Sequence, residues 1–434
     1  LGGLRSALFL FHKRAGELAA KECYNLEVIN PFVFIKKEDV VVLDIRDGSV
    51  GGMILTVNKE GGGAPIKVFS VRKEIPFQRS FNNKRLLASI SQAVAFVALA
   101  IRDSGFKIPS KVFCILGPHL HASQVRIIKS KYDKPVTISE EVLHSLILQD
   151  SKEFQQKHLL NTNASDSPNV MMEHKITQIK LNGYETSSPI KKNASEIEIS
   201  VFVSMAPGEL LDSLKKNIFK NLHTNKIDFH SFTFALSDIV RKIAPERPSF
   251  VVVNIEDEIS EVSVIRDGEV EDIASFPVGM SMLTRVIMDR FNLSNEQALS
   301  YLKLYLSGSA EKDLSVKMVD AIDRAMVLWT DHFYETLRKI SFHRLLPDIF
   351  YIATEETCKD VFINFIQKAE VSGLLVTSRS PRVECLEPNL FAELCKNISS
   401  CPDELHLLVD AIFIDKFYRQ NIAHRWGEEK RYIL

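Results

Sequence analysis

The strongest constraint on this chain is an internal repeat. Residues 39–76 read as three strands separated by turn residues: an apolar run at 40–43, a second at 50–57 and a third at 66–75. Residues 248–277 read the same way, with strands at 250–253, 259–265 and 269–276 around the Asp267-Gly268 turn. In each copy the first strand ends in a polar residue followed by isoleucine, Asp44-Ile45 and Asn254-Ile255, then a short polar turn. Each third strand closes on an apolar residue and a proline, Ile75-Pro76 and Phe276-Pro277. The first copy is longer, because its second turn carries Asn58-Lys59-Glu60-Gly61-Gly62-Gly63-Ala64-Pro65.

Helices follow each meander. Residues 83–103 are dense in Leu, Ala, Ile and Val and stop near Gly105, the position of a C-terminal glycine cap. After the second copy the spacing predicts helices over 280–291 and 294–306, the latter opened by Ser294 with Gln297 three residues on, a capping-box pattern. A longer helix is expected over 313–342, where Trp329, Phe333, Tyr334, Leu337 and Ile340 fall at helical spacing and suit a core face. Strands are expected at 111–116 and 348–353. Between the halves, 136–155 reads as helix, 171–181 and 196–205 as strands, 208–222 as an amphipathic helix and 230–244 as a helix entering the second half. Strands and helices in this alternation argue α/β layering.

Bulk properties narrow the function. With 54 Lys plus Arg against 55 Asp plus Glu, no long-range field favours nucleic acid or an anionic membrane. No stretch reaches the roughly 18 uninterrupted apolar residues of a membrane span. Near the start, an apolar run at 7–11 precedes His12, Lys13 and Arg14, the reverse of signal-peptide order; a docked helix or a surface-lying amphipathic one would both suit it. Six cysteines without a CxxC pair suit reduced thiols in a cytosol, with a Cys395–Cys401 bridge as the alternative. Neither GxxxxGK[ST] nor GxSxG occurs. His119 and His121 have no nearby ligand set and read as surface histidines.

A duplicated meander with a phosphate-binding turn after each first strand resembles the actin-like ATPase superfamily. Asp44-Ile45-Arg46-Asp47-Gly48-Ser49-Val50 is similar to its first phosphate turn, and Asn254-Ile255-Glu256-Asp257-Glu258-Ile259-Ser260-Glu261 sits where the second is expected. Arg266-Asp267-Gly268, Ser275-Phe276-Pro277-Val278-Gly279, Ser294-Asn295-Glu296-Gln297-Ala298, Val136-Thr137-Ile138-Ser139-Glu140-Glu141 and Leu181-Asn182-Gly183-Tyr184 resemble the FtsA and PilM branch. The resemblance covers residues 38–418. It implies an α/β, ribonuclease H-like plan of two duplicated lobes: 38–135 and 230–418, with a small α+β subdomain of SHS2 type at 136–229, an extension at 1–37 and a tail at 419–434. It further implies a cytoplasmic scaffold peripheral to the inner membrane, in cell division or type IV pilus assembly, with protein partners at the membrane face, self-association, and membrane contact at a terminus.

The same resemblance marks Asp44, Gly48, Ser49, Asn254, Ser260 and Glu261 as nucleotide-site candidates, with Asp44, Asn254 and Glu261 able to hold Mg²⁺ beside ATP. Three departures argue that ATP has been lost. Arg46 and Asp47 replace small residues in the first turn, and Gly51-Gly52 stands where a basic residue is expected. Glu256, Asp257 and Glu258 put carboxylates in the second turn, and Thr354-Glu355-Glu356-Thr357 replaces a glycine-rich turn. Each like-charge contact near 4 Å costs about 1 to 4 kcal/mol. The expectation is a scaffold without a cofactor and without chemistry of its own. The rival readings are an active ATPase whose nucleotide state controls polymerisation, and a monomeric peptide-binding adaptor.

Overall fold

The computed structural model describes residues 37–58, 64–161, 168–391, 394, 402 and 404–425. The N-terminal segment, the glycine-rich turn, the Cys395/Cys401 pair and the end of the tail lie outside the described residues. The first meander forms as expected: β1 (Lys37–Ile45), β2 (Ser49–Asn58) and β3 (Ile66–Glu74) pair antiparallel in sequence order. Helix α1 (Asn83–Arg102) follows, with Asn82 capping its start by accepting from the Arg85 amide, and β4 (Lys111–Leu116) runs parallel to β1. By length and composition α1 could cross a membrane. In the fold it buries Leu86, Ile90, Ala93, Val94, Val97 and Ile101, one helical face laid on the first sheet.

The chain then leaves this sheet. β5 (Ala122–Thr137), α2 (Glu140–Asn161), β6 (Asn169–Leu181), β7 (Tyr184–Glu185) and β8 (Asn193–Pro207) form a separate antiparallel sheet in the order β5-β8-β6-β7, with Leu143 and Ile147 of α2 in its core. β5 departs from the sequence reading, which left 122–135 with the first lobe and began a helix at 136. Along this edge strand Arg126, Lys129 and Lys131 interrupt Val125, Ile127 and Ile128 without strict alternation, a mixed pattern that hides a strand. The chain returns through α3 (Gly208–Leu222) and β9 (Lys226–Ser231), which pairs parallel with β4, so both belong to the first sheet's layer although α3 and most of β9 fall within 136–229. Helix α4 (Phe232–Ile243) starts only after Ser231, whose side chain accepts from the Phe234 amide; His230, read as helical, is the penultimate strand residue.

The second meander repeats the plan. β10 (Phe250–Ile255), β11 (Ser260–Arg266) and β12 (Glu269–Phe276) pair antiparallel; α5 (Ser281–Phe291), α6 (Asn295–Leu306) and α7 (Lys312–Ile340) follow; and β13 (Ile349–Ala353) runs parallel to β10. The Ser294–Gln297 capping box forms at α6, and Trp329, Phe333 and Leu337 of α7 are fully buried, with Tyr334 on the exposed side. α8 (Lys359–Lys368), β14 (Arg382–Cys385) and α9 (Leu405–Arg425) complete the described chain. The two large sheets share one order by position, third-second-first-fourth-fifth strand: β3-β2-β1-β4-β9 and β12-β11-β10-β13-β14.

One continuous core joins them. Val40, Val42, Met53 and Phe113 of the first sheet meet Phe250, Val252 and Tyr351 of the second across α4 and α9. Residues Leu407 to Ile414 of α9 are buried without a break, as a helix between two sheets requires. α1 and α3 cover the first sheet's other face, and α5, α6, α7 and α8 cover the second's.

Gly52 sets the spacing of α1 on β2. A methyl group there would lie 2.3 Å from Val97 Cγ1 and 3.0 Å from Ile101 Cδ1. Gly52→Ala is therefore expected to cost about 1–3 kcal/mol in urea unfolding, the usual price of overpacking. Gly373→Ala, where a Cβ meets nothing within 4 Å, should stay within about 0.5 kcal/mol of the parent.

Candidate functional site: the facing hairpin turns

Each meander ends its first strand in a tight turn, and the two turns face each other. The Arg46 amide donates to the Ser49 carbonyl at 3.0 Å, and the Glu256 amide donates to the Ile259 carbonyl at 2.9 Å. Strand register makes Asp44 the equivalent of Asn254, Arg46 of Glu256, Asp47 of Asp257 and Gly51 of Glu261. The equivalent residues Arg46 and Glu256 form an ion pair with each other across the gap. Arg46 is 3 % exposed; its Nε also lies 2.7 Å from Asp44 Oδ1, and its guanidinium carbon sits 3.8 Å above the Phe232 ring. Asn254 Nδ2 donates to Glu256 Oε1 at 2.9 Å, completing the pair's surroundings.

A second arginine, not picked out from the sequence, supports this one. Arg72 stands opposite Gly51 in the β2/β3 ladder and reaches back over it to Asp44 Oδ2 at 2.9 Å and Ser49 Oγ at 2.7 Å. A Cβ on Gly51 would come within 3.0 Å of that guanidinium, so the glycine that seemed to mark a lost basic residue makes room for one from the next strand. The cross-strand pairing of an arginine with a glycine was the available signal. Burial alone would raise the Asp44 carboxyl, but Arg46 and Arg72 hold it below the ordinary range. Asp410 of α9 completes the enclosure. It is fully buried beside Asp44 and Arg46, neither of its oxygens makes a hydrogen bond, and burial together with Asp44 pushes it well above the ordinary carboxylate range.

The turns are also stitched directly. The Glu258 amide donates to Asp47 Oδ2 at 2.9 Å, and Gly48 packs so closely on Asp257 that a Cβ would fall 1.6 Å from its Oδ2. Arg285 of α5 holds Glu258 at 2.6 Å and the Gln78 carbonyl of the first lobe at 2.9 Å. The amides of Met280 and Ser281, at the start of α5, donate to the carbonyls of Glu256 and Asp257, both at 2.9 Å. These helix-start donors, the kind that cradle a phosphate elsewhere, are thus committed to protein.

Of the sequence candidates, Asp44, Gly48, Ser49 and Asn254 converge on this network. Ser260 and Glu261 do not. The Ser260 hydroxyl donates to the Val278 carbonyl and accepts from Trp329 Nε1, and Glu261 accepts from Thr233 of α4 at 2.6 Å, with burial raising it to about 7. No cluster able to hold a metal ion occurs among the described residues. His119 lies in a single 3₁₀ turn at Pro118–Leu120 against Phe81, and His121 faces Ser123 and Thr233; both are half-buried, where the sequence reading had them on the surface. Outward of the network a cavity of about 440 Å³ remains between the lobes, bordered by Asp47, Asp257, Glu258 and Glu355.

Replacing Arg46 by methionine leaves Glu256 buried without its cation, and loss of one partner of a buried pair costs about 3–5 kcal/mol. Urea unfolding of Arg46→Met should show a loss of that order, and adding Glu256→Gln should restore part of it. A single variant within about 0.5 kcal/mol of the parent would show that the pair does not couple the turns.

No family model and no curated protein matches this sequence. Among solved structures, a chain of the PilM–PilN type IV pilus biogenesis complex aligns with a TM-score of 0.56 at 14 % identity, over 88 % of this chain and 98 % of that one. The ethanolamine utilization protein EutJ from Carboxydothermus hydrogenoformans aligns at a TM-score of 0.40 and 10 % identity over 88 % and 90 % of the two chains. A protein of actin-like ATPase fold from Bacteroides thetaiotaomicron aligns at 0.36 and 10 % over 82 % and 95 %. With its duplicated sheets, shared core and facing turns, the chain has the actin-like ATPase fold, in a form similar to that of the pilus complex chain.

Proposed function

We propose that this chain is a PilM-like scaffold in which an internal arginine has replaced the nucleotide. The observation that carries the reading is Arg46, held between Asp44 and Glu256 where the two phosphate turns of the fold meet. A triphosphate would have to displace a guanidinium from two buried carboxylates, break the Glu258–Asp47 bond and settle beside Asp47, Asp257 and Glu258. The amides at the start of α5, which could offset those costs, are already bonded to the Glu256 and Asp257 carbonyls.

On this reading the protein performs no chemistry and works by protein contacts. The likeness to a chain of a pilus biogenesis complex supports a role in an assembly of that kind; a place at the cytoplasmic face of a membrane is part of the same proposal. The third sheet, taken with α2 as an inserted subdomain, offers a second surface. Between β6, α4, the β11–β12 turn and α9 lies a cavity of about 250 Å³ with Phe234, Phe413 and Phe417 in its wall and Lys175, Arg241 and Glu269 around them. Aromatic anchors inside a polar rim suit a partner's peptide segment.

The test is equilibrium binding of a fluorescent ATP analogue, with and without Mg²⁺ and with unlabelled ATP as competitor. The expected result is no saturable, competed binding at millimolar nucleotide. Competed binding in the micromolar range would overturn the reading in favour of an active ATPase.

A further inference from the structure

The first lobe carries more apolar surface than its core uses. Helix α1 has the length and composition of a membrane span, yet only 39 % of that apolar stretch is buried. No charge falls between Arg85 and Arg102. Lys84, Ala88, Gln92, Phe96 and Leu99 recur at helical spacing on the side away from the sheet, and all five are exposed. Helix α3 lies beside α1, with Asn217 Nδ2 donating to Ser91 Oγ at 2.6 Å, and completes this outer layer. It adds a second aromatic side chain turned outward: Phe219 is 49 % exposed, against 48 % for Phe96.

Charge singles out the same layer. The chain as a whole is balanced, but α1 and α3 carry six cations, Lys84, Arg85, Arg102, Lys215, Lys216 and Lys220, against two acids, Glu209 and Asp212. Lys73 of β3 adds another, its Nζ 5.1 Å from the centre of the Phe96 ring. Glu74, next along that strand, belongs to the opposite face and borders the cavity between the lobes. The matching layer of the second lobe is different. There α7 also exposes Val316, Val327 and Leu328, but among five cations and five acids.

We propose that the outer face of α1 and α3 docks on an anionic lipid surface, with Phe96, Leu99 and Phe219 entering the headgroup boundary and the lysines meeting the lipid charges. At physiological salt a charge acts over only about 8 Å, so such a surface responds to this local excess and not to the balance of the whole chain. A second copy of the chain does not suit the face, because two such layers would set lysine against lysine. The two helices are also the outermost layer of the lobe and present ridges, which suit a flat, fluid surface better than the insertion of a partner's helix into a groove. The inference does not depend on the loss of nucleotide.

The test is co-sedimentation of the full chain with vesicles of phosphatidylethanolamine and phosphatidylglycerol, and with vesicles of phosphatidylcholine alone, at low and high salt. Expected is saturable binding to the anionic vesicles that falls as salt rises, and none to phosphatidylcholine. Lys216→Gln and Lys220→Gln should each weaken binding about fivefold, the worth of one basic residue near such a surface. Phe96→Gln and Phe219→Gln should each weaken it several-fold. All four side chains are exposed, so the unfolding midpoints should stay at the parent value. Val327→Gln, on the balanced layer, should leave binding unchanged. No binding to anionic vesicles would overturn the proposal and leave the face to a protein partner. Binding that all four variants leave intact would overturn it as well, by placing the lipid contact elsewhere on the chain. Neither result bears on the Arg46 reading, which stands or falls with the ATP titration.

Discussion

The pair between Arg46 and Glu256 joins the same position of two copies of one hairpin, with opposite charges. Everything around it depends on both being present. Either charge alone, at 5 % exposure or less, would face a desolvation cost of several kcal/mol; together each finds its opposite charge, with Asp44 and the Phe232 ring beside Arg46 and the Asn254 amide donating to Glu256. Because the two residues belong to different sheets, satisfying them fixes the distance between the lobes. The direct contacts of Gly48 on Asp257 and Glu258 on Asp47 are consequences of that closeness.

On the proposed reading, divergence between two copies of one hairpin turns a cleft into a joint. Both turns keep the same backbone pattern and lead into strands of the same order. What differs is side-chain volume and sign: Gly51 opens space for Arg72 where the other copy carries Glu261, and Gly48 gives way to Asp257 where the other copy carries Glu258. Helix α9 then closes the inner side, placing Asp410 beside the arginines and filling the gap between the sheets with Leu407 to Ile414. Movement of the lobes would have to disturb both a buried ion network and a core that spans them.

Much of this was legible in the residues. The two meanders, the fourth strands, the Ser294 cap and the Trp329 face follow from periodicity and turn chemistry, and the sequence identified the turns and their charged residues; that the fourth strands run parallel to the first came from the structure. Sequence reasoning treated Arg46 and Glu256 as two independent losses, because repulsion from an absent phosphate could be seen but attraction across 210 residues could not. Arg72, Asp410 and Arg285 were missed for the same reason: their roles come from strand register and from the return of α9, which are tertiary facts. β5 and β9 were missed because an edge strand with interspersed lysines, and a strand ending at a helix cap, carry weak apolar signals.

Backbone hydrogen exchange at the Glu258 amide tests the central claim most directly, because that amide's bond to Asp47 crosses between the turns. The Ser281 amide, bonded to Asp257 within the second lobe, serves as the internal reference. A joint held by its own side chains predicts that both amides are protected without nucleotide and that saturating ATP·Mg²⁺ changes neither. Rapid exchange at Glu258 alone, slowed when ATP·Mg²⁺ is added, would contradict the account: the lobes would then close on nucleotide rather than on Arg46.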